Sequence, residues 1–279
     1  MKIARVLRDD EPRIIIDAGA GPRLAPADVP DDIVVAVELA REGATEHWPA
    51  YATGSDRVLA PIAKPGKIIA VGLNYADHTT ETGFTPPERP LTFAKYSSSL
   101  IGPVDDIIVP GHLVQQPDYE AELALVIGRR CGGSTTATLA DVLGYTVAND
   151  VSARDVQFSD GQWTRAKSFD TFTPLGPHIV TADEFGDPSG RRIWTSIGDE
   201  LLQDDSTSSM VFDVAALLAW IGAATTLEPG DVILTGTPAG AGGFRTPPRF
   251  LRDGDVVEVG VEGIGELVNR VVIRTEVAA

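Results

Sequence analysis

The chain has 279 residues, of which 43% are hydrophobic and 23% charged. This composition excludes a mostly disordered chain, and the length favours one large domain with a small appendage. The 23 lysines and arginines against 40 aspartates and glutamates give a net charge of −17, which argues against nucleic acid and anionic membrane surfaces as partners. An anionic substrate would therefore need a local cation, either a metal ion or a small cluster of arginine and lysine.

The cysteine content and the apolar runs limit the kinds of site and the location that the protein can have. Cys131 is the single cysteine, which excludes an internal disulfide and a cysteine-based zinc or iron–sulfur site. The N-terminal segment has charged residues within its first few positions, so it lacks the apolar run of a signal peptide. The richest apolar run, residues 214–224, is far shorter than the ~20 residues of a membrane span. We therefore expect a cytoplasmic protein.

The first 60 residues are predicted to form a small N-terminal domain. Short β-rich runs at residues 3–7 and 13–17 predict strands, and an acidic stretch at residues 30–41 predicts a helix. Pro61, Pro65 and Gly66 then precede a new apolar run at residues 67–73. We place a domain boundary there, with a larger catalytic domain over residues 61–279.

His78 and Glu81 stand three residues apart, a spacing that puts both on one face of a helical turn. Glu81 could then orient the imidazole and raise its basicity, so that His78 takes a proton from water. The alternative is a solvent-facing turn with an incidental pair. The glycine and prolines that follow predict a lid, and residues 84–89 within it are candidates for substrate specificity.

Residues 119–128, YEAELALVIG, form the most regular apolar strand pattern. Residues two apart in a strand share a face, so Glu120 and Glu122 point the same way, and that face continues into Ala124 and Val126. Two partly buried carboxylates repel each other unless a cation lies between them. A divalent metal resolves the conflict, whereas the alternative is an acidic edge strand facing solvent.

Asp150 is the candidate for a third carboxylate, because it ends the apolar run VLGYTVAND. A turn or helix cap is the alternative role for it. Three carboxylates with no histidine nearby would suit magnesium, manganese or calcium rather than zinc. Arg154, Arg165 and Lys167 follow close in the sequence and could bind a substrate carboxylate or pair with the acidic groups.

The C-terminal third combines one helix with several strands. Asp213 can cap a helix over residues 213–222. Three later β-branched runs, PGDVILTG, DGDVVEVGV and GELVNRVVI, are bounded by turn residues and predict antiparallel strands. The glycine-rich segment after Leu234 leads into two prolines rather than a helix, so it predicts a backbone loop at a pocket edge rather than a nucleotide site. Strands outnumber helices without βαβ alternation, which favours a β-rich α+β fold.

Six segments together resemble the fumarylacetoacetate hydrolase family. They are GLNYADHTTE, FAKYSSSLIGP, YEAELALVIG, ANDVSARDVQ, WTRAKSFDTFTPLGP and DVILTGTPAG, in the family's order over residues 72–240. The resemblance implies a roll of mixed β-sheets, like the C-terminal domain of fumarylacetoacetase, with a small α/β appendage at the N-terminus. It also implies a homodimer.

The resemblance assigns roles to individual residues. Glu120, Glu122 and Asp150 would hold Mg²⁺, with Mn²⁺ or Ca²⁺ as alternatives. His78, Glu81 and Lys167 would be catalytic. Gln157, Thr237 and Arg154 would contact substrate, with Arg154 mainly structural, and Thr171 would line or support the metal site. The spacing of His78 and Glu81 resembles the shorter bacterial and mitochondrial members, which argues against fumarylacetoacetate itself as the substrate.

The implied activity is divalent-metal-dependent hydrolysis of a C–C bond in a 1,3-diketo acid of the acylpyruvate type, through a metal-bound enolate. The same site could serve an oxaloacetate-type decarboxylase or a 2-hydroxyhepta-2,4-diene-1,7-dioate isomerase. A more remote alternative is a protein that binds a metal or a small acid without catalysis. The segment at residues 158–163, with Trp163 near Lys167, is a second candidate for specificity.

Overall fold

The computed structural model describes residues 1–275 except 53, 55, 84 and 86, and of Thr80 and Thr82 it describes only the backbone. The α-helices are α1 (Ile33–Arg41), α2 (Ala76–Thr82), α3 (Arg154–Asp160), α4 (Trp163–Ala166), α5 (Ala182–Phe185) and α6 (Val214–Ala224). The strands are β1 (Lys2–Arg8), β2 (Glu11–Asp17), β3 (Pro22–Leu24), β4 (Arg57–Leu59), β5 (Ile68–Gly72), β6 (Leu91–Lys95), β7 (Leu100–Ile101), β8 (Ile107–Pro110), β9 (Pro117–Asp118), β10 (Ala121–Ile127), β11 (Val142–Asn149), β12 (Ser152–Ala153), β13 (Thr173–Thr181), β14 (Arg192–Ile197), β15 (Glu200–Ser206), β16 (Val232–Leu234), β17 (Val256–Val261) and β18 (Gly265–Arg274).

A large mixed sheet is the frame of the molecule. Its strands run in the order β3-β2-β1-β13-β11-β10-β16-β5-β6, with β4 paired to β1 and β7 to β13. β16 is antiparallel to β10 but parallel to β5. The antiparallel prediction for this strand therefore holds on one side only. Parallel pairing needs a long connection, and the many residues between β5 and β16 provide one.

A second sheet, β15-β14-β17-β18-β8, packs against β10, β11 and β13 of the first. β17 and β18 are antiparallel, as predicted, while β18 is parallel to β8. The main core includes Leu123 and Leu125 of β10 together with Val257 and Val259 of β17. The β-rich α+β class with mixed sheets is confirmed.

β10 is buried on both faces, which explains its almost unbroken apolar sequence. Leu123 and Leu125 belong to the core shared with the second sheet. Ala124 and Val126 belong instead to a core that α1 covers. Glu122 is on the latter face by alternation, so the predicted continuation of the glutamate face into a buried region is confirmed.

The N-terminal segment joins the large sheet directly. β1 pairs antiparallel with β13, with Ile3 opposite Ile179. Helix α1 begins at Ile33 rather than at residue 30, because Asp32 is the N-cap and accepts hydrogen bonds from the N–H groups of Val34 and Val35. The division at residue 60 stays a prediction. Within the described residues, no helix is long and apolar enough to cross a membrane.

The α6 cap follows the sequence prediction closely. The carboxylate of Asp213 accepts a hydrogen bond from the N–H of Ala216, and the helix extends to Ala224, two residues beyond the predicted end. The predicted start at an aspartate is thus confirmed, since a capping side chain satisfies a backbone donor that the helix itself leaves unpaired.

His178, in β13, makes folding stability sensitive to mild acid. Burial, with the nearby charge of Lys2, lowers the pKa of His178 from 6.5 to about 4. The unfolded chain therefore takes up a proton near pH 6.5 that the folded chain takes up only near pH 4. The contribution of His178 to the free energy of unfolding is fully present above pH 6.5. It decreases as the pH falls through this window, by about 2 kcal/mol between pH 7.5 and pH 5.

Urea denaturation of the wild type and a His178→Gln variant at pH 7.5, 6 and 5 measures this contribution. We expect the wild type to lose about 2 kcal/mol more than the variant over that range. Equal losses in the two proteins would mean that His178 does not carry the effect. His112, which is exposed, provides the control variant His112→Gln, whose loss should match that of the wild type.

Candidate functional site

Three carboxylates meet where β10 begins and β11 ends. Glu122 is in β10, Glu120 precedes that strand, and Asp150 directly follows β11. The two strands are antiparallel with Ala121 opposite Asn149, so the start of one lies beside the end of the other. One oxygen from each of the three carboxylates lies within 4.8 Å of the others, and all three side chains are buried. A solvent-facing edge strand is thereby excluded for Glu120 and Glu122.

Two cations from α3 and the end of α4 hold Glu120. The Lys167 Nζ donates to Glu120 Oε2 at 2.5 Å and to Asp150 Oδ2 at 2.8 Å. The Arg154 guanidinium donates to Glu120 Oε1 at 2.6 Å and, through Nε, to Asp118 Oδ2 at 2.7 Å. Each of these cations therefore joins two carboxylates.

Lys95, at the end of β6, is a third cation at the cluster and was not singled out from the sequence. Its Nζ donates to Asp150 Oδ1 at 2.5 Å and to the carbonyl oxygen of Phe172 at 2.9 Å, and the side chain is fully buried. Burial lowers the pKa of Lys95, and the charge of Asp150 only partly offsets that effect. Lys95 thus fixes the Asp150 oxygen that Lys167 does not hold.

The two glutamates of the cluster have opposite electrostatic surroundings. Burial tends to raise the pKa of Glu120, but the charges of Lys167 and Arg154 outweigh it and lower the pKa to about 2. Burial, then repulsion from Asp150 and Glu120, raise the pKa of Glu122 well above its ordinary value. The three cations at the cluster therefore stabilise the charge of Glu120 more than that of Glu122.

The donor set fits a hard divalent cation. Glu122 accepts a backbone hydrogen bond from Gly236 N–H at 2.6 Å and also lines the cavity described below. Three buried carboxylates, with one oxygen of each within 4.8 Å of the others, supply the oxygen ligands that magnesium, manganese and calcium prefer. A cation bound there would relieve the repulsion at Glu122.

His78 and Glu81 lie on α2 as the spacing predicts. The His78 Nδ1 is 3.4 Å from Glu81 Oε2, longer than the about 2.7–3.2 Å of a well-formed hydrogen bond. Such catalytic contacts often tighten only when substrate is bound. His78 is buried, and its ring packs edge-on against Phe244 at 5.4 Å.

Glu81 is held by the backbone as well as by His78. Both of its carboxylate oxygens accept from the N–H of Gly240, at 3.0 and 3.2 Å. Burial tends to raise the pKa of Glu81, but the hydrogen bonds from His78 and Gly240 lower it below its ordinary value. Glu81 is therefore an ionised partner for the imidazole at neutral pH.

The glycine-rich loop after β16 joins the dyad to the acidic cluster. Gly236 N–H donates to Glu122, Gly240 N–H to Glu81, and the N–H groups of Gly242 and Gly243 to Asp118. Gly236 and Gly240 both have positive φ, and a Cβ on Gly240 would lie 2.1 Å from the Leu202 carbonyl oxygen. The prediction of a backbone loop at a pocket edge is consistent with this arrangement.

A cavity of about 210 Å³ is lined by His78 of the dyad and by Glu120 and Glu122 of the cluster. Its lining residues are Val71, Gly72, Leu73, His78, Phe93, Glu120, Glu122, Arg154, Gln157, Phe158, Gly161, Trp163, Lys167, Thr237 and Phe244. Gln157 and Thr237 are therefore placed to contact a ligand, and Gln157 Oε1 accepts from Arg154 at 2.9 Å. Asp150 lies behind the lining, bonded to Lys95 and Lys167.

The match to known proteins decides the family. The model of the fumarylacetoacetate (FAA) hydrolase C-terminal matches residues 67–272. The chain belongs to this family. It is 45% identical over 240 residues to the mitochondrial oxaloacetate tautomerase Fahd2a of Rattus norvegicus, covering 85% of this chain and 76% of that protein.

Two solved structures of FAA hydrolase relatives share the whole fold. Fumarylacetoacetate hydrolase from Exiguobacterium antarcticum matches with a TM-score of 0.86 and 40% identity, over 98% of this chain and 100% of that one. The 5-carboxymethyl-2-hydroxymuconate delta-isomerase from Mycobacterium smegmatis matches with a TM-score of 0.79 and 37% identity, over the same shares of the two chains.

Most of the residues predicted for this FAA hydrolase site lie together, although their roles stay predictions. The Thr171 hydroxyl contacts β8 instead, where it accepts from the N–H of Ile108 at 2.8 Å. Arg165 pairs with Asp160 on the surface. Of the two specificity segments, residues 158–163 reach the cavity, whereas Phe84 and Pro86 of residues 84–89 lie outside the described residues.

Proposed function

We propose that this FAA hydrolase family member is a divalent-metal-dependent enzyme that interconverts the keto and enol forms of a small 2-oxo acid. The observation that carries the proposal is buried His78, with Glu81 at its Nδ1, in the wall of the same cavity as Glu120 and Glu122. Similarity to an oxaloacetate tautomerase supports it. The anionic substrate also needs a cation in a protein of net charge −17, and a divalent ion would provide it.

His78 is the residue that moves the proton. With Glu81 at Nδ1, the tautomer that carries its proton there leaves Nε2 as the base. His78 removes a proton from the carbon next to the 2-oxo group, the electron pair passes to the oxo oxygen, and return of a proton to that oxygen gives the enol. A divalent ion on Glu120, Glu122 and Asp150 would supply Lewis acidity toward the 2-oxo acid.

The other residues bind and orient the acid. Lys167 places a positive charge beside the carboxylate cluster. Burial tends to lower the pKa of Lys167, but the negative charges of Asp150 and Glu120 outweigh that effect and raise it. It stays protonated and stabilises negative charge on the enolised substrate. Gln157 and Thr237 offer an amide and a hydroxyl at the cavity wall, where they orient the substrate's polar groups.

Hydrolysis of a C–C bond in an acylpyruvate-type acid is the second candidate function. The observation that favours it is His78, with Glu81 at its Nδ1, in the wall of a cavity of about 210 Å³, which has room for a water beside a small substrate. In that reaction His78 takes a proton from water, the resulting hydroxide attacks the distal carbonyl, and the C–C bond breaks to leave an enol. Decarboxylation of oxaloacetate uses the same enol-forming machinery.

Three substrates incubated with magnesium-loaded protein, each with an EDTA control, separate these activities. Decay of the enol absorbance of oxaloacetate without loss of carbon dioxide supports the tautomerase. Acetate and pyruvate from acetylpyruvate, identified by proton NMR, support the hydrolase, and pyruvate from oxaloacetate above the magnesium-only rate supports the decarboxylase. Double-bond migration in a 2-hydroxydienedioate supports the isomerase. The absence of an EDTA-sensitive change in every tube would contradict the proposal.

The homodimer and the cytoplasmic location stay predictions from the sequence.

A further inference from the structure

Gln203, in β15, is a buried amide that links the second sheet to β10 and to the glycine-rich loop. Its side chain is 1% exposed. The Oε1 atom accepts from the backbone N–H of Ala121 at 3.0 Å and from the Thr195 hydroxyl at 2.7 Å. The Nε2 atom donates to Thr237 Oγ1 and to the Pro238 carbonyl, both at 2.8 Å. Both lone pairs and both protons of the amide are therefore used.

The backbone fixes the orientation of the Gln203 amide. The N–H of Ala121 can only donate, so the amide atom that faces it is the oxygen. The carbonyl of Pro238 can only accept, so the amide atom that faces it is the nitrogen. That nitrogen also faces Thr237, whose hydroxyl oxygen must therefore accept from it. The proton of the Thr237 hydroxyl is left for another partner.

The cavity is where that partner would bind. Thr237 is 4% exposed and lines the cavity together with Glu120 and Glu122. Within the part of the chain that the structure describes, no acceptor takes the proton of its hydroxyl. The carboxylate and oxo oxygens of a 2-oxo acid are acceptors, so a hydroxyl that offers its proton matches them.

Gln203 also fixes this donor relative to the clustered carboxylates. Ala121, whose N–H the amide accepts, lies between Glu120 and Glu122 in the sequence. The other end of the same amide holds Thr237. One planar group therefore connects the strand that carries the glutamates to the hydroxyl at the cavity wall.

Building on the proposed function, we propose that Gln203 is a positioning residue that presents the Thr237 hydroxyl as a hydrogen-bond donor to an anionic oxygen of the 2-oxo acid. Gln203 is not among the described residues that line the cavity, so it acts through Thr237. A hydrogen bond to a charged oxygen is stronger than one between neutral groups, so the direction of this hydroxyl contributes to the affinity for the acid.

Gln203→Glu reverses the direction of the hydrogen bond with little change of shape. One oxygen replaces a nitrogen that has two protons, and this oxygen carries at most one proton. The Pro238 carbonyl can only accept and would take that proton, so the Thr237 hydroxyl would donate to the new oxygen instead of the ligand. Oxalate, which has two adjacent carboxylates, serves as the probe. Calorimetry on the magnesium-saturated, full-length protein should show that it binds about tenfold more weakly.

A double-mutant cycle with Thr237→Val separates this role from a general structural one. Thr237→Val removes the hydroxyl and should also weaken oxalate binding about tenfold. In that background Gln203→Glu should change the oxalate affinity by less than about twofold, because the group through which it acts is gone. Direct repulsion or a loosened site would instead weaken binding equally in both backgrounds. Thr195→Val removes a buried hydroxyl at the other end of the amide and is the matched control, with unchanged oxalate affinity.

The outcomes separate this inference from the proposed function. Wild-type oxalate affinity in Gln203→Glu or in Thr237→Val overturns the inference, and so do equal losses from Gln203→Glu in the two backgrounds. None of these results affects the proton transfer assigned to His78. If circular dichroism shows that Gln203→Glu does not fold, Gln203→Met takes its place in the cycle and should weaken oxalate binding only where Thr237 is present. If neither oxalate nor pyruvate binds the wild type in the presence of magnesium, the proposed function itself fails.

Discussion

Replacing His78 with alanine is expected to lower kcat by about 10²- to 10⁴-fold, the usual contribution of a positioned acid–base group. His78 is the histidine among the described residues that line the cavity, and Glu81 holds its Nδ1 side. Without the imidazole, the cations of the site and a metal ion held by the carboxylates could still bind the acid. The loss should therefore appear in kcat far more than in ligand affinity.

The His78→Ala experiment needs two comparisons. Magnesium and oxalate affinities measured by calorimetry should match those of the wild type, because His78 is not one of the three clustered carboxylates. His112→Ala removes an exposed histidine and should leave kcat unchanged. Turnover by His78→Ala equal to that of the wild type would remove His78 from the mechanism and require another proton acceptor in the cavity.

Replacing Glu122 with glutamine is expected to weaken magnesium binding by more than about 100-fold. Changes to groups that merely support a metal ligand cost about 10- to 100-fold, and a ligand itself contributes more. The amide keeps the shape of the side chain but loses the charge that burial and the neighbouring carboxylates disfavour. Gly236 N–H can still donate to the amide oxygen, so local structure is retained.

The metal-free form makes the Glu122 prediction specific. Glutamine replaces a buried carboxyl group whose charged form is disfavoured beside Asp150 and Glu120, so the metal-free variant should melt at the wild-type temperature or above it. Magnesium should then stabilise the wild type, through binding to the folded state, but not Glu122→Gln. Glu266→Gln, on an exposed glutamate of β18, is the control. An unchanged magnesium affinity in Glu122→Gln would show that the cluster is not the metal site.

Short-range patterns in the sequence determined several features that the structure bears out. Alternation along β10 placed Glu122 on the face of Ala124 and Val126, and the three-residue spacing placed His78 beside Glu81. Asp213 capped its helix as predicted. These features depend on the fixed periods of strands and helices and on local hydrogen bonds, so neighbouring residues are sufficient to predict them.

Only the tertiary structure brought Lys95 and Asp118 to the site. Lys95 is 55 residues from Asp150 and Asp118 is 36 residues from Arg154, yet each forms a buried ion pair. The sequence pattern shows Lys95 only as a lysine at the end of a short strand. It shows Asp118 only as an acidic residue before a strand. Neither pattern distinguishes a buried partner from a surface charge, because burial depends on which elements pack over the side chain.

Strand pairing was the other feature that the tertiary structure decided. The β-branched run of β16 predicted a strand, but not that β5 would lie parallel beside it. Likewise, Trp163 was predicted near the pocket, but its packing against Gly72 depends on the tertiary contact between β5 and α4. Periodicity sets the conformation of a segment, but its partners are selected by the burial and hydrogen bonding of the whole chain.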